Sequence, residues 1–486
     1  MIKRARLLAI ILGLSGNYLI SPVDTKAQAP TSSITGNNQG GKLLPQADAF
    51  IRSLFDSSLL DGQSWPLLTA LCKEAGHRLT GSEGAAKAVL LTRKQMLHMG
   101  YDSVWLQPVQ VPVWKRGAAE RAKLLVSSAG QGRIKKEDHL DLAVLALGGS
   151  VATPMGGLRA EVLEVGSLEE LKELPHHQVR GKVVFINQKM DARYINTFES
   201  YSHCASIRVQ GAVEAAQKGA LAVLVRSLTL SIDSFPHTGM MVYRDSIPRI
   251  PAAAVSTLHA EYMHKQMTQG KKLEVELVLN CSNHPDTLSY NVVGQINGSL
   301  YPERYITLGG HLDSWDVGEG AHDDGAGCVH SMEAARLLMV CGYRPRHSIR
   351  TILYMNEENG MRGAREYARL ARENQEVHLA SIESDRGGFS PREFHVEADS
   401  QRIADLQPML GVLMDYGIHR IRKGGSGADV GQMRDQCALL MGFVPESQRY
   451  FDYHHARTDV LESVNRRELE LGSAALAALL YLLDRE

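Results

Sequence analysis

From residue 291 to the C-terminus, apolar β-type segments alternate with helix-type segments, and this alternation constrains the fold more than any other feature. The hydrophobic periodicity predicts strands at 304–309, 349–355, 378–384 and 438–444, and helices at 325–341, 362–373 and 466–484. Strands that alternate with helices form a mainly parallel sheet with helices on both faces. The sequence therefore predicts an α/β fold.

The residues before this region add helices and one more strand. Helix-type periodicity occurs at 46–60 and again at 82–99. A β-type segment follows at 104–114, and its two prolines favour an edge strand, because proline cannot donate to a ladder. We assign residues 45–125 and 286–486 to one catalytic domain.

Residues 126–285 have a strand–helix–strand pattern of their own. Apolar strands at 183–186 and 222–225 flank an alanine-rich helix at 208–218. No cluster of catalytic residue types accompanies this βαβ unit. We interpret residues 126–285 as a domain inserted into the catalytic domain.

Three of the predicted strands end in side chains that bind metals. His311 follows the first strand, the Glu357–Glu358 pair follows the second, and Asp385 follows the third. Open α/β sheets bind ligands beyond the carboxyl ends of their strands, so we expect these side chains to meet in one cleft. One glutamate of the pair could bind a metal ion while the other takes a proton from a metal-activated water.

Loops supply two more candidate ligands, Asp323 and His455. An aspartate can place one oxygen on each of two metal ions, and we assign that bridging position to Asp323. Its neighbour Asp324 fits a cap for the following helix. Asp313 lies two residues after His311, where its carboxylate could accept a hydrogen bond from the second ring nitrogen of that histidine.

Charge balance favours two divalent ions over one. The carboxylates of Asp323, Glu358 and Asp385, together with a bridging hydroxide, balance the charge of two Zn²⁺ ions. With one ion, the same ligands would leave net negative charge in a poorly solvated cleft, which is costly.

The N-terminus predicts export. Basic residues at 3, 4 and 6, an apolar run at 7–14 and small residues at 25 and 27 are typical of a signal peptide covering residues 1–27. The apolar run is shorter than the roughly 20 residues that span a membrane, so we expect a secreted or periplasmic protein without a membrane anchor. Residues 28–44 are rich in Ser, Gly, Asn, Gln and Pro and are predicted to be a linker.

Charge and cysteine content exclude other classes of protein. Lys and Arg number 53 against 54 Asp and Glu, and a formal net charge of -1 argues against a nucleic-acid-binding protein. The six cysteines are scattered without metal-type spacing, which predicts isolated buried thiols.

Three segments carry a family resemblance: HLDSWDVG at 311–318, QGAVEAA at 210–216 and PHTG at 236–239. They resemble the carboxypeptidase Q family, within the dizinc exopeptidases that include bacterial leucyl aminopeptidases. The similarity runs from about residue 65 to the C-terminus. It implies a three-layer phosphorylase/hydrolase-like fold, a protease-associated insert, carboxypeptidase or dipeptidase activity on small peptides, and homodimers.

The resemblance also implies individual roles. His311 and Asp385 would hold one zinc ion, His455 and Glu358 the other, with Asp323 as the bridge and Glu357 as the general base. The stretch 456–458 departs from the family by being bulkier and more basic. Within it, Arg457 offers a partner for a substrate carboxylate.

Three alternatives stay open at this point. The chain could be an aminopeptidase of the same dizinc family, a receptor-like relative without activity, or a glutaminyl cyclase with a single zinc ion. The number of zinc ions per chain separates the last two from the dizinc peptidases.

Overall fold

The computed structural model of the protein describes residues 44–127 and 139–486. The predicted signal peptide, and the predicted linker up to residue 43, lie outside the described residues. The α-helices are α1 (Leu44–Asp61), α2 (Ser64–Ala70), α3 (Glu83–His98), α4 (Leu168–Glu173), α5 (His176–Val179), α6 (Thr197–Gln217), α7 (Thr257–Thr268), α8 (Ala326–Val340), α9 (Arg362–Glu373), α10 (Ser400–Leu406), α11 (Leu410–Leu413), α12 (Tyr450–Tyr453) and α13 (Arg466–Arg485).

The β-strands form two eight-stranded sheets. They are β1 (Ser103–Lys115), β2 (Arg121–Ser127), β3 (His139–Leu142), β4 (Val144–Ala146), β5 (Leu158–Val165), β6 (Val183–Ile186), β7 (Ala222–Arg226), β8 (Ala252–Val255), β9 (Lys272–Val278), β10 (Ser282–Ile296), β11 (Tyr301–His311), β12 (His347–Tyr354), β13 (Val377–Ser384), β14 (Pro391–Glu397), β15 (Arg420–Lys423) and β16 (Leu440–Pro445).

The first sheet has the strand order β1-β10-β12-β11-β13-β16-β14-β15. Its four central strands, β12, β11, β13 and β16, are parallel to one another. The neighbouring pairs β1/β10, β10/β12 and β14/β16 are antiparallel. The sheet is therefore mixed, whereas the sequence predicted a mainly parallel one. The difference arises at the flanks, where β10, β14 and β15 are rich in polar residues and lack the apolar runs of the central strands.

The predicted elements of this region are confirmed. All four central strands form where the periodicity placed them, and β1 lies at the edge of the sheet, as its prolines predicted. Helix α9 covers one face, where Tyr367 and Ala371 belong to the same apolar cluster as Ile352. Helices α1, α2, α8 and α13 cover the other face. The parallel strands therefore lie between two helical layers.

The second sheet is formed by residues between β1 and β10, in the order β3-β2-β9-β5-β6-β7-β8-β4. Strand β6, helix α6 and strand β7 form the predicted βαβ unit, with β6 and β7 parallel. Helix α6 begins at Thr197, well before the predicted residue 208, because Asn196 caps it by accepting a hydrogen bond from the amide of Phe198. Polar residues in its first turns obscured the helical periodicity. The sheet runs from residue 121 to residue 278, close to the predicted insert of 126–285.

Two properties of the described residues bear on the sequence predictions. All six cysteines lie within them, and each is a free thiol, four of them buried. None of the described helices is both long and apolar enough to cross a membrane.

Candidate metal centre

The carboxyl ends of β11, β12 and β13 lie side by side. His311 at the end of β11 pairs with Tyr354 at the end of β12, and β13 lies against the other side of β11. A Cβ atom on Gly310 would lie 2.3 Å from Asp324 Oδ2 and 3.0 Å from the carbonyl oxygen of Ser384. Only glycine allows these segments to approach so closely, as expected for the glycines before His311.

Asp323 lies between two histidines that come from distant parts of the chain. Its Oδ1 is 3.3 Å from Nε2 of His311, and its Oδ2 is 3.2 Å from Nε2 of His455. Asp385 Oδ1 is 3.4 Å from the same nitrogen of His311, and Glu358 Oε2 is 3.1 Å from the same nitrogen of His455. The structure thus brings all five predicted ligands together, as two adjoining groups that share Asp323.

The donor set fits divalent metal ions. Asp323 Oδ2, Glu358 Oε1 and Asp385 Oδ1 are buried and make no hydrogen bond within the described part of the chain. Burying carboxylates without compensation costs several kcal/mol, so the cluster requires positive charge. Imidazole and carboxylate groups are ligands that zinc prefers. His311 with Asp323 and Asp385 offers three ligand atoms close enough to hold one ion.

Asp313 contacts both His311 and the turn that carries the glutamate pair, and its contact with His311 differs from the prediction. Its backbone carbonyl, rather than its carboxylate, accepts the hydrogen bond from Nδ1 of His311 at 2.9 Å; the nearer carboxylate oxygen is 4.0 Å away. The carboxylate instead accepts hydrogen bonds from the amides of Asn356, Glu357 and Glu358, at 2.6, 3.0 and 3.3 Å. Asp313 therefore orients the first histidine and also holds the turn that carries the glutamate pair.

Two more aspartates shape the turn that carries the bridging ligand. Asp459 accepts hydrogen bonds from the amides of His322 and Asp323, at 2.7 and 3.1 Å. Asp324 caps α8 by accepting from the amide of Gly327 at 2.9 Å, as predicted.

When no metal ion is bound, the pKa values of one carboxyl group and two histidines of the centre are raised. Burial raises the pKa of Glu358 to about 7, and the carboxylate of Asp323 adds to the effect. Burial opposes protonation of His455, but Glu358 and Asp323 outweigh it and raise the pKa to about 9. Burial likewise opposes protonation of His311, yet Asp385 and Asp323 hold its pKa well above the usual value. Metal ions would displace these protons.

The two adjacent glutamates lie in different environments. Glu358 is buried and faces His455, whereas Glu357 is only partly buried. Loss of hydration at its carboxyl raises the pKa of Glu357 well above the ordinary value, and the nearby charge of Asp385 raises it further. A partly exposed carboxyl group with a raised pKa is suited to proton transfer.

Sequence reasoning missed three residues around His455. The ring of His454 stacks on that of His455, with 3.5 Å between centroids. Nδ1 of His455 lies 3.2 Å from the carbonyl oxygen of Thr238 and 3.3 Å from a guanidinium nitrogen of Arg208. Thr238 and Arg208 belong to the second-sheet region, more than 200 residues away in the chain. Spacing could not reveal them; the family segment PHTG at 236–239 was the available signal.

Arg457 lies outside this group. It is exposed, and its guanidinium stacks over the ring of Phe235 at 4.9 Å. A buried arginine, Arg208, lies beside His455 and also stacks over Tyr201 at 5.5 Å.

Comparison with known proteins identifies the family. Residues 291–479 match the family model described as Peptidase family M28. Human carboxypeptidase Q is 35% identical over 420 residues, which cover 86% of this chain and 85% of that protein. The chain belongs to peptidase family M28. As the sequence predicted, this M28 member is a hydrolase of the metallo-exopeptidase class.

One solved structure gives the same family assignment, and a second shows the same fold. The peptidase M28 precursor from Shewanella amazonensis is 31% identical, with a TM-score of 0.85 over 90% of this chain and 97% of that chain. A zinc aminopeptidase from Bacillus subtilis is 20% identical, with a TM-score of 0.58 over 86% of this chain and 94% of that chain. The second protein shares the fold.

Proposed function

We propose that this M28 member is a secreted exopeptidase that depends on two Zn²⁺ ions and cleaves small peptides as a carboxypeptidase or dipeptidase. The observation that carries the proposal is the position of one carboxylate. Asp323 directs one oxygen toward His311 and Asp385 and the other toward His455 and Glu358, so one side chain can serve two ions.

Each ion would have its own pair of ligands. His311 and Asp385 would hold one, His455 and Glu358 the other, and Asp323 would bind both. When bound, the ions polarise the scissile carbonyl and lower the pKa of water.

Glu357 would be the general base. Its backbone is fixed by the hydrogen bond from its amide to Asp313, and its carboxyl group has a raised pKa. In this role it takes a proton from the attacking water and gives it to the departing amine. Glu358 cannot share this task while it serves as a ligand, so the two glutamates have separate roles.

Arg208 would recognise the free carboxyl terminus of the substrate. Its side chain is almost fully buried and its Nε makes no hydrogen bond. Its guanidinium contacts Nδ1 of His455, the carbonyl oxygen of Thr238 and the ring of Tyr201, and pairs with no carboxylate of the described residues. An unpaired buried cation is costly, and a substrate carboxylate would compensate it. This role replaces the one suggested from sequence for Arg457, whose guanidinium contacts Phe235 at the surface.

The proposal is tested with a matched pair of variants and a peptide panel. We expect Arg208→Met to raise KM for free dipeptides at least tenfold while both zinc ions stay bound. Arg457→Met is the control and should leave KM unchanged. The panel contains free, amino-blocked and carboxyl-amidated dipeptides, each assayed with both variants and the wild type.

The panel also separates the alternatives. Equal rates on amidated and free dipeptides, with loss of activity on amino-blocked ones, would make the protein an aminopeptidase. No hydrolysis of any peptide with two zinc ions bound would favour a receptor-like relative. One zinc ion per chain would contradict the two-ion centre itself.

Three further parts of the proposal have simple tests. Secretion is supported by the predicted signal peptide and requires that the exported protein begin at residue 28. We assign the second sheet to a protease-associated insert, following the family resemblance. The same resemblance supports a homodimer, which light scattering would detect as twice the mass of one chain.

A further inference from the structure

The segment Pro236–Gly239 contacts the loop that carries His455. Nδ1 of His237 donates to the carbonyl oxygen of His454 at 2.7 Å. The amide of Thr238 donates to the carbonyl oxygen of His455 at 3.0 Å, and the carbonyl of Thr238 accepts from Nδ1 of His455 at 3.2 Å. Backbone and ring of the histidine are therefore both held by the same short segment.

This segment is anchored in the second-sheet region. Thr238 Oγ1 donates to the carbonyl oxygen of Ala146, at the end of β4, at 2.8 Å. The amide of Gly148 donates to the carbonyl oxygen of Gly239 at 2.9 Å. Thr238 is fully buried and His237 nearly so. The loop that carries His455 thus contacts a buried segment that is hydrogen-bonded to the second-sheet region.

Gly239 allows the close approach that these contacts need. Its φ is +135°, a backbone conformation that residues with a side chain rarely adopt. A Cβ atom there would lie 2.5 Å from Cζ of Arg208 and 2.6 Å from Nδ1 of His455. Any larger residue would push His455 away from Thr238.

We propose that the segment Pro236–Gly239 is a positioning element for the metal centre, so that the ion position of His455 and Glu358 depends on the second sheet. The backbone carbonyl of Thr238 holds the second ring nitrogen of His455, which fixes the tautomer and the ring orientation for binding through Nε2. The proposal rests on the proposed role of His455 as a ligand. It goes further by making the second sheet a functional part of the centre.

The first test introduces a methyl group at the contact. We expect Gly239→Ala to weaken binding of one of the two zinc ions by about 10–100-fold while the other ion stays bound as in the wild type. Competition with a chromophoric chelator measures both affinities. Gly181→Ala is the control, because Gly181 also has a positive φ, +78°, lies before β6 in the second-sheet region and has no atom within 4 Å of the added Cβ.

A second variant avoids dependence on backbone strain. His237→Leu removes the hydrogen bond to His454 and places an apolar side chain of similar bulk at this buried position. We expect a smaller loss at the same ion position, about tenfold. In the metal-free protein, hydrogen exchange at the amide of Thr238 should quicken in Gly239→Ala, because that amide bonds to His455.

The outcomes separate this proposal from the proposed function. Fewer than two zinc ions on the wild type would contradict the two-ion centre. Two zinc ions on the wild type, with unchanged affinities in both variants, would overturn the positioning role alone. Equal weakening at both ion positions would also overturn it, because Pro236–Gly239 contacts only the His455 side in the described structure. If Gly239→Ala fails to fold, His237→Leu decides the question.

Discussion

At the residue scale, the centre depends on how neighbouring side chains divide their tasks. Glu358 is buried against His455, while Glu357, its neighbour, remains partly accessible. The turn after β12 achieves this separation: Asn356 adopts a φ of +77°, and Asp313 accepts hydrogen bonds from three successive amides. One adjacent pair can thus supply a ligand and a base.

The role of Glu357 leads to the first prediction. Replacing Glu357 with Gln removes the proposed proton acceptor but preserves the shape of the side chain. We expect both metal ions to remain bound and kcat to fall by about 10²–10⁴-fold, the usual cost of losing a general base. Steady-state kinetics and elemental analysis on the same sample measure both quantities. Glu303→Gln, at an exposed position, serves as the control. Near-normal kcat with two ions bound would exclude Glu357 as the base.

The shared position of Asp323 leads to the second prediction. Its two oxygens face different histidines, so Asp323→Ala should weaken both ion positions rather than one. Elemental analysis after dialysis measures the remaining zinc, with exposed Asp415→Ala as the control. One ion retained at full occupancy would show that Asp323 serves a single position.

The convergence of the candidate ligands could be predicted from sequence for a physical reason. His311 and Asp385 follow apolar parallel strands, and the ends of such strands meet at one edge of a sheet. Thr238 and Arg208 follow no such rule, because their positions depend on how a second sheet packs against the first. Asp313 was placed beside His311 correctly, but a two-residue spacing could not show whether its carbonyl or its carboxylate would face the ring.

At the scale of elements, the local sequence pattern predicted those strands and helices that have continuous apolar faces. The central strands and α13 have continuous apolar faces, and their predicted bounds were close. Strand β14 contains charged residues among its apolar ones, and three of the four residues of β15 are basic. Neither segment therefore has the apolar pattern that is typical of a strand. Both form because they pair with a sheet edge that the sequence does not reveal.

A buried contact between α13 and the start of β12 gives the third prediction. Asp484 is fully buried and accepts hydrogen bonds from Tyr343 Oη, from the amides of Arg346 and His347, and from Nδ1 of His347, at 2.6–2.9 Å. Asp484→Ala would leave these donors unpaired. We expect the free energy of unfolding to fall by about 3–5 kcal/mol, with both metal ions still bound.

Urea denaturation measures the free energy of unfolding of Asp484→Ala, and a surface ion pair provides the control. Lys87 and Glu83 form an exposed ion pair at 2.7 Å on α3, and Lys87→Ala should change the free energy of unfolding by less than about 1 kcal/mol. Similar effects for the two variants would mean that Asp484 does not stabilise the junction between α13 and β12.

At the scale of the whole molecule, metal binding is coupled to pH. The pKa of His455 is raised to about 9 and that of His311 lies well above its usual value, so both rings hold protons near pH 7 in the metal-free protein. Zinc requires neutral imidazole, so binding must release these protons. Affinity for zinc should therefore fall as the pH falls and rise as the pH approaches 9.

This fourth prediction has a direct measurement. Calorimetry in buffers of different ionisation enthalpy should show that at least two protons leave each chain when both ions bind at pH 7, because the carboxyl group of Glu358, with a pKa of about 7, adds to the two histidines. A heat of binding that does not depend on the buffer would mean that the histidines are already neutral. In that case the carboxylates around His311 and His455 would not raise the pKa values of the rings.

The two sheets together limit what can enter the centre. Trp315 packs its ring over Gly148 of the second-sheet region and meets the ring of His455 edge-on at 5.8 Å. Trp315, Val317 and Asp323 help to line the cavity beside the candidate ligands. The ring of Trp315 therefore occupies the His455 side of this cavity, where a substrate chain would continue past the cleaved bond.

We therefore predict that the enzyme hydrolyses free dipeptides and fails on long polypeptides, including unstructured ones. A dipeptide needs room for one residue on each side of the scissile bond, whereas an endopeptidase substrate must extend in both directions. Trp315, which lines the cavity beside His455, would close one of these directions. Digestion of an unstructured protein, followed by mass spectrometry over time, is the measurement. Internal fragments at early times would show that the chain passes through the cleft and that Trp315 does not close it.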